Sequence, residues 1–283
     1  LAQVGYDSPL VLASFGFIVV GLATKAALFP LHTWQPDAYN DAPDSVSAFI
    51  SALVSTVAAY ALFRLLYTVY TPAFFEAVPV ARDALVAFAT LSIVVGSVLA
   101  IVQSEVKRML AYSSVSQYGL VVVGLAIGTP AAVFGAVVHL VGHAIMKGGL
   151  FVAAGTVDDL TGARTVDEYA GLADRFPVLG GASALLMLAM AGVPPAVGFA
   201  GKWDIAPGAV RAGAGPGAAG GALAAEWSPA DVDVTHIGQA RVAAQVEFEA
   251  VAGTNAGDVY SVDVELERGR EALEVWIPES VSD

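Results

Sequence analysis

The sequence predicts an all-α polytopic membrane protein, and three observations carry that prediction. Hydrophobic residues make up 57% of the chain and charged residues 14%, several long runs are apolar on every face, and prolines interrupt two of those runs. A typical soluble domain is about 25% charged, so most of this surface is matched to lipid rather than to water. All-round apolarity also separates these runs from the one-sided helices of a soluble fold.

A bilayer-spanning helix takes about 20 mostly apolar residues. Six stretches are of about that length: 10–31, 46–70, 84–103, 113–128, 131–155 and 178–201. The fourth reads as short and joins the fifth through a tight Ile127-Gly128-Thr129-Pro130 turn, as in a helical hairpin. The loops after the odd-numbered spans hold Lys107, Arg108, Arg164 and Arg175, whereas those on the other side offer Arg82. The positive-inside rule then puts the odd-numbered loops in the cytoplasm.

Charge divides the chain. Residues 1–203 carry 12 acidic and 9 basic side chains, residues 204–283 carry 14 and 4, and the net charge of −13 therefore splits into −3 and −10. The expected organisation is a transmembrane helical bundle fragment over 1–203 and an acidic, Ala/Gly-rich, non-membrane tail over 204–283. The opening at Leu1, with no basic leader or cleavage site, reads as a cut from something longer. The absence of cysteine excludes a disulfide framework, a zinc-thiolate site and a cysteine-bound iron–sulfur cluster. No Gly-rich phosphate loop or metal-ligand cluster is visible, so the reading assigns no cofactor, and nothing suggests nucleic-acid binding.

Pro30 lies just after Lys25 in the first span, and Pro194-Pro195 lie ahead of Lys202 in the sixth. Proline removes a backbone donor and clashes with the preceding turn, so both helices should be broken. In lipid such breaks are tolerated only where protein or a water-filled cavity satisfies the freed groups. Paired broken helices are also the best sequence pointer to a transport site.

Lysine at the bilayer centre costs about 2.5–3.5 kcal/mol on insertion scales, and this chain keeps Lys25, Lys147 and Lys202 in or beside its spans. The bland alternative is a lysine near a helix end that snorkels to the interface, which fits Lys147 worst because its flanks are apolar on both sides. His139, His143 and Lys147 are spaced four apart and so stack on one helical face. They spread over roughly 12 Å of axis, within reach of one another through single waters. A lone histidine there would read as a core residue; three ionisable groups in register read as a proton wire. Tyr112-Ser113-Ser114-Val115-Ser116-Gln117-Tyr118 either lines that wire or glues neighbouring helices. His32, Trp34, Asp37, Asp41 and Asp44 read as a solvated first cytoplasmic loop, with an ion vestibule as the sharper alternative.

Four segments carry a resemblance: LATKAALFPLHTWQPDAYNDAPDSVSA (22–48), QSEVKRMLAYSSVSQYGLVVVGL (103–125), HLVGHAIMKGGLFVAAG (139–155) and AGVPPAVGFAGKW (191–203). Together they closely resemble the antiporter-like family, which comprises the proton-pumping membrane subunits of respiratory complex I and the large subunits of Mrp-type sodium/proton antiporters. The resemblance covers nearly all of 10–203. It implies part of an inverted five-helix-repeat bundle with two broken helices and a central file of ionisable residues. By motif, Lys25 resembles the lysine of the first broken helix, His139, His143 and Lys147 resemble the file between the halves, and Lys202 resembles the lysine of the second broken helix. The usual glutamate partner of the Lys25-type residue would lie before Leu1.

Two departures stand out. Many members place a lysine or histidine where this chain has Thr56, so a link between Lys25 and His139 needs water or another route. After Trp203 the family continues with hydrophobic helices, whereas here acidic text follows. A reading-frame shift is the preferred account of that tail; the alternative is a genuine appendage, in which 246–250 and 262–267 alternate as a β-hairpin around Gly253-Thr254-Asn255-Ala256-Gly257.

The function expected from the resemblance is proton or Na⁺/H⁺ translocation through the buried Lys/His file. The chain would act as a subunit of a complex I-like NADH:quinone oxidoreductase or of a multi-subunit cation/proton antiporter, with other membrane subunits as partners and no redox chemistry of its own. The alternative is a non-conducting structural membrane subunit of such a complex. A transporter of an organic substrate is disfavoured by a path lined with titratable groups and no large polar pocket.

Overall fold

The computed structural model describes residues 5–211, 241–249 and 259–267. Two compact units, Leu1–Glu226 and Trp227–Asp283, are taken separately.

The first unit is helical. Helix α1 (Pro9–Ala26) ends where Ala27 turns left-handed, short of the residue 31 that apolarity alone suggested. After a turn through Pro30 the chain resumes as α2 (Trp34–Asp41). A continuous apolar helical run, Asp44–Tyr70, follows. It comprises α3 (Asp44–Phe49), a π turn (Ile50–Val54), α4 (Ser55–Arg64) and a second π turn (Leu65–Tyr70). Then come α5 (Pro72–Ala77), α6 (Pro79–Ile101), α7 (Val106–Ile127) and α8 (Pro130–Thr161). A short α9 (Leu172–Arg175) leads to α10 (Pro177–Ala191) and α11 (Val197–Arg211).

Five of these helical runs are long and apolar enough to cross a membrane, and α10 is a shorter apolar helix. The chain is thus a multi-pass membrane protein. Pro9, Pro72, Pro79, Pro130 and Pro177 open their helices, where the missing N–H costs nothing. Gly128 and Gly162 close α7 and α8 in the left-handed conformation, as C-terminal glycines do. At 32 residues and 1.5 Å per residue, α8 is about 48 Å long, enough to cross the bilayer and project beyond it.

The sequence reading of a short fourth span is corrected: α7 runs 22 residues and is the most enclosed of the five. Of its apolar window 78% is buried, against 22% for α1. The reading failed because Lys107 and Arg108 suggest a loop. Lys107 instead pairs with Asp44 and Arg108 with Asp37 at 3.0 Å, which neutralises both charges at the first turn of α7. Close approach against α6 uses glycine: a Cβ at Gly119 would sit 2.7 Å from the Ala89 carbonyl oxygen.

The first loop is solvated only in part: Trp34, Asp37 and Asp41 are exposed, whereas His32 is buried. Its residues 34–41 form α2, in which Gln35 and Tyr39 are fully buried, while Asp37 alone of the pair Asp37 and Asp44 stays largely in water. Asp41, Asp44, Glu105, Lys107, Asp158 and Arg164 line one cavity of ≈ 480 Å³. The loops after the first, third and fifth spans therefore meet at one end of the bundle, as their numbering predicts.

The sequence boundary at Trp203 falls inside α11. The helix continues because Ile205 and Ala206 are buried, and Ile205 lies against Gly135 of α8; one carboxylate at Asp204 does not end it. In the second unit, β1 (Arg241–Glu249) pairs antiparallel with β2 (Val259–Glu267), Val246 opposite Val262. Of the two alternating stretches only Val246 and Val262 face each other; the rest of 246–249 pairs with 259–261 and the rest of 262–267 with 241–245, and the turn expected at 253–257 lies outside the described residues.

Candidate functional site

The site is built on α8. His139, His143 and Lys147 are at most 1% exposed, and their four-residue spacing turns all three inward. Small residues let the neighbouring backbones close over them. A Cβ at Gly201 of α11 would lie 2.6 Å from the His139 Cβ, and one at Gly135 of α8 would lie 2.7 Å from the Gly201 carbonyl oxygen. That crossing sets Lys202, the next residue of α11, beside His139.

Each member of the file has its own partner, largely on α7. His139 Nε2 is 2.7 Å from Gln117 Oε1. The His143 ring lies edge-on to Tyr118, with centroids 4.8 Å apart, and 6.4 Å from the His139 ring. Lys147 Nζ donates to the Leu110 carbonyl and to Ser113 Oγ. Thus Ser113, Gln117 and Tyr118 line the file, whereas Ser116 bonds Ser97 of α6 and Ser114 back-bonds to Leu110. The two sequence readings of this polar stretch each hold for different residues of it. The i, i+4 relation of Ser113 to Gln117 was the available signal.

The stacked trio is not a direct hydrogen-bonded wire. Neither nitrogen of the His143 ring has a hydrogen-bond partner among the described residues, and Lys147 leans towards α7 rather than along α8 to His143. Such buried nitrogens call for a polar partner, a place that a bridging water can fill.

The two proline breaks behave differently. At the second, Lys202 is 9% exposed and its Nζ donates to the Met190 and Ala191 carbonyls, both at 3.0 Å. It thereby closes the C-terminal end of α10, where the helix dipole favours a cation. At the first, Trp34 Nε1 donates to the Thr24 carbonyl and the Phe29 N–H donates to Ser92 Oγ, both at 2.8 Å. Lys25 is left exposed, and the structure does not bring its side chain to the file. Gln35, Tyr39 and Ser55 cluster beneath this break, a group the sequence reading missed because Asp37 and Asp41 gave the segment a solvated look. Among the described residues no group of three or more His, Asp or Glu side chains could hold a metal ion.

This arrangement has known counterparts. The family described as "NADH:quinone oxidoreductase/Mrp antiporter, TM" matches residues 1–222. NADH-quinone oxidoreductase subunit N of Desulforudis audaxviator is 47% identical over 74% of this chain and 41% of its own length. A Na(+)/H(+) antiporter subunit of Bacillus subtilis is 33% identical over 67% of this chain and 38% of its own. In the solved Mrp complex from Dietzia sp., one chain superposes with a TM-score of 0.69 at 26% identity, covering 77% of this chain and 40% of that one. The chain spans about two fifths of the relatives it matches, and over that span it belongs to the NADH:quinone oxidoreductase/Mrp antiporter membrane-subunit family.

Proposed function

We propose that this chain carries part of an ion-translocation path, moving protons or Na⁺/H⁺ across the membrane through His139, His143 and Lys147, with Lys202 and Lys25 at the two helix breaks. The observation that carries this reading is the complete burial of three ionisable side chains on one face of α8. Such groups are costly inside a membrane and mark ion paths and proton relays. Histidine exchanges protons near neutrality, and α7 offers each group a polar neighbour. Within this reading the helical bundle, α11 included, is the conducting part, and the acidic text beyond it is a non-membrane tail.

The relatives' names extend the proposal to partners: other membrane subunits of a respiratory complex or of a cation/proton antiporter. Apolar faces fit such neighbours or lipid, with Phe17 81% and Val178 85% exposed. The competing reading, a structural subunit that does not conduct, is favoured by one feature, the uncharged Thr56. Ion flux through the assembled, full-length protein with Lys147→Ala separates the two. Loss of flux with normal membrane insertion is expected, and unchanged flux would support the structural reading.

A further inference from the structure

The two ring nitrogens of a histidine are distinct, and which of them carries the proton is set by the hydrogen bonds around the ring. At His139 only one nitrogen has a partner among the described residues. Nε2 lies 2.7 Å from Gln117 Oε1 of α7, and an amide carbonyl oxygen only accepts, so Nε2 is the donor and holds its hydrogen. Nδ1 is buried with no partner. It is joined through one carbon to Cβ, the atom against which Gly201 of α11 is packed. Lys202, the next residue of α11, gives two of its ammonium N–H groups to the Met190 and Ala191 carbonyls. In the field of that cation a bare lone pair on the ring is favoured over a second N–H, which agrees with a proton held on Nε2.

We propose that Gln117 is a positioning residue, which locks the neutral His139 ring in the tautomer protonated on Nε2 and confines proton exchange at this ring to Nδ1. The proposal rests on the translocation reading above. A proton brought by water bonds to Nδ1 and gives an imidazolium whose Nε2–H still donates to Gln117, through a bond that strengthens as the donor becomes charged. Release breaks that same Nδ1–H bond and returns the starting tautomer. A relay across the ring would instead take the proton on one nitrogen and release it from the other, breaking the bond to Gln117 in every cycle. His139 therefore stores a proton beside the file and hands it back on the side it came from.

The test uses the assembled, full-length protein in membrane vesicles. Nitrogen-15 NMR of labelled histidines, at a pH where the His139 ring is neutral, distinguishes an N–H from a bare nitrogen, and the His139→Asn spectrum identifies the signal. Ion uptake is measured on the same preparations, with Lys147→Ala as a reference. The unaltered protein should show His139 protonated on Nε2 and bare on Nδ1. Gln117→Met keeps the length of the side chain and removes the amide oxygen; it should divide the signal between the two tautomers and lower uptake about two- to tenfold, the worth of one net hydrogen bond, with unchanged insertion. A proton on Nδ1 in the unaltered protein would overturn the lock. Lowered uptake with the tautomer intact in Gln117→Met would assign Gln117 to helix packing, and a divided tautomer with normal uptake would show that exchange is not confined to Nδ1; either result overturns the proposal and leaves the translocation reading standing. Normal uptake with Lys147→Ala would overturn the translocation reading, and the role of the lock in exchange with it.

Discussion

The two helix breaks place a lysine beside interrupted backbone, yet they satisfy that backbone with different groups. At the second break the lysine itself does so: Lys202 reaches the Met190 and Ala191 carbonyls and is buried in the process. At the first break an indole and a serine do it, through Trp34 and Ser92, and the Lys25 side chain is left uncommitted. The turns differ as well. Gly192 takes the left-handed conformation at φ 98°, whereas Ala27 takes it at φ 58°, where a Cβ is disfavoured. The comparison teaches that a broken helix fixes where the backbone must be capped, not which residue caps it. A lysine spared from capping stays exposed.

The largest expected difference follows from removing each ammonium. Lys202→Met leaves two carbonyls at the end of α10 without their donor and should cost about 1–3 kcal/mol, together with loss of ion flux. Lys25→Met, at an exposed side chain, should change stability by no more than about 0.5 kcal/mol. Thermal unfolding of the two variants in detergent checks this, and equal costs would break the comparison.

A smaller effect distinguishes the turns. Gly192→Ala forces a Cβ into the left-handed region, 3.1 Å from Lys202 Cδ, and should destabilise by about 1 kcal/mol or more. Ala27→Gly relieves the same conformation and should be neutral or gain up to about 1 kcal/mol. Opposite signs in the same unfolding assay sharpen the contrast; matching signs would remove it.

The smallest effect lies outside the membrane. Glu168 accepts from the Arg164 and Thr165 N–H groups at 2.8 and 2.9 Å, and these backbone bonds, that from Thr165 foremost, hold its carboxyl below the ordinary carboxylate range. A depressed folded value means that the loop's stabilisation is complete above the unfolded carboxylate value and is lost as pH falls through the folded one. The protection of the Arg164 and Thr165 amides against hydrogen exchange, relative to their intrinsic rates, should therefore fall on acidification, and Glu168→Gln should reproduce that loss of protection at neutral pH while both breaks stay unchanged. Equal loss of protection within α10 would show that loop and break are not independent.

Much of this was legible from single residues and spacings. Prolines gave both breaks, and the four-residue interval of His139, His143 and Lys147 gave their shared face, because helical geometry is local. Less legible was anything settled by a partner distant in sequence. Lys107 and Arg108 have the look of loop residues until Asp44 and Asp37 stand beside them. Gln35 and Tyr39 look solvated because their helix also carries Asp37 and Asp41. That Lys147 turns to the Leu110 carbonyl rather than towards His143 depends on how α7 packs against α8, which no spacing within α8 encodes.

The central claim is that Lys147 works by giving up and regaining a proton, and its most direct test is ion flux through the assembled, full-length protein with Lys147→Arg beside Lys147→Ala. Guanidinium stays protonated in proteins, so arginine keeps the positive charge and abolishes the exchange. Translocation with Lys147→Arg should be impaired nearly as severely as with Lys147→Ala, with both variants still inserted and assembled. Near-normal translocation with arginine would mean that a fixed positive charge suffices at this position, contradicting the proton-exchange account.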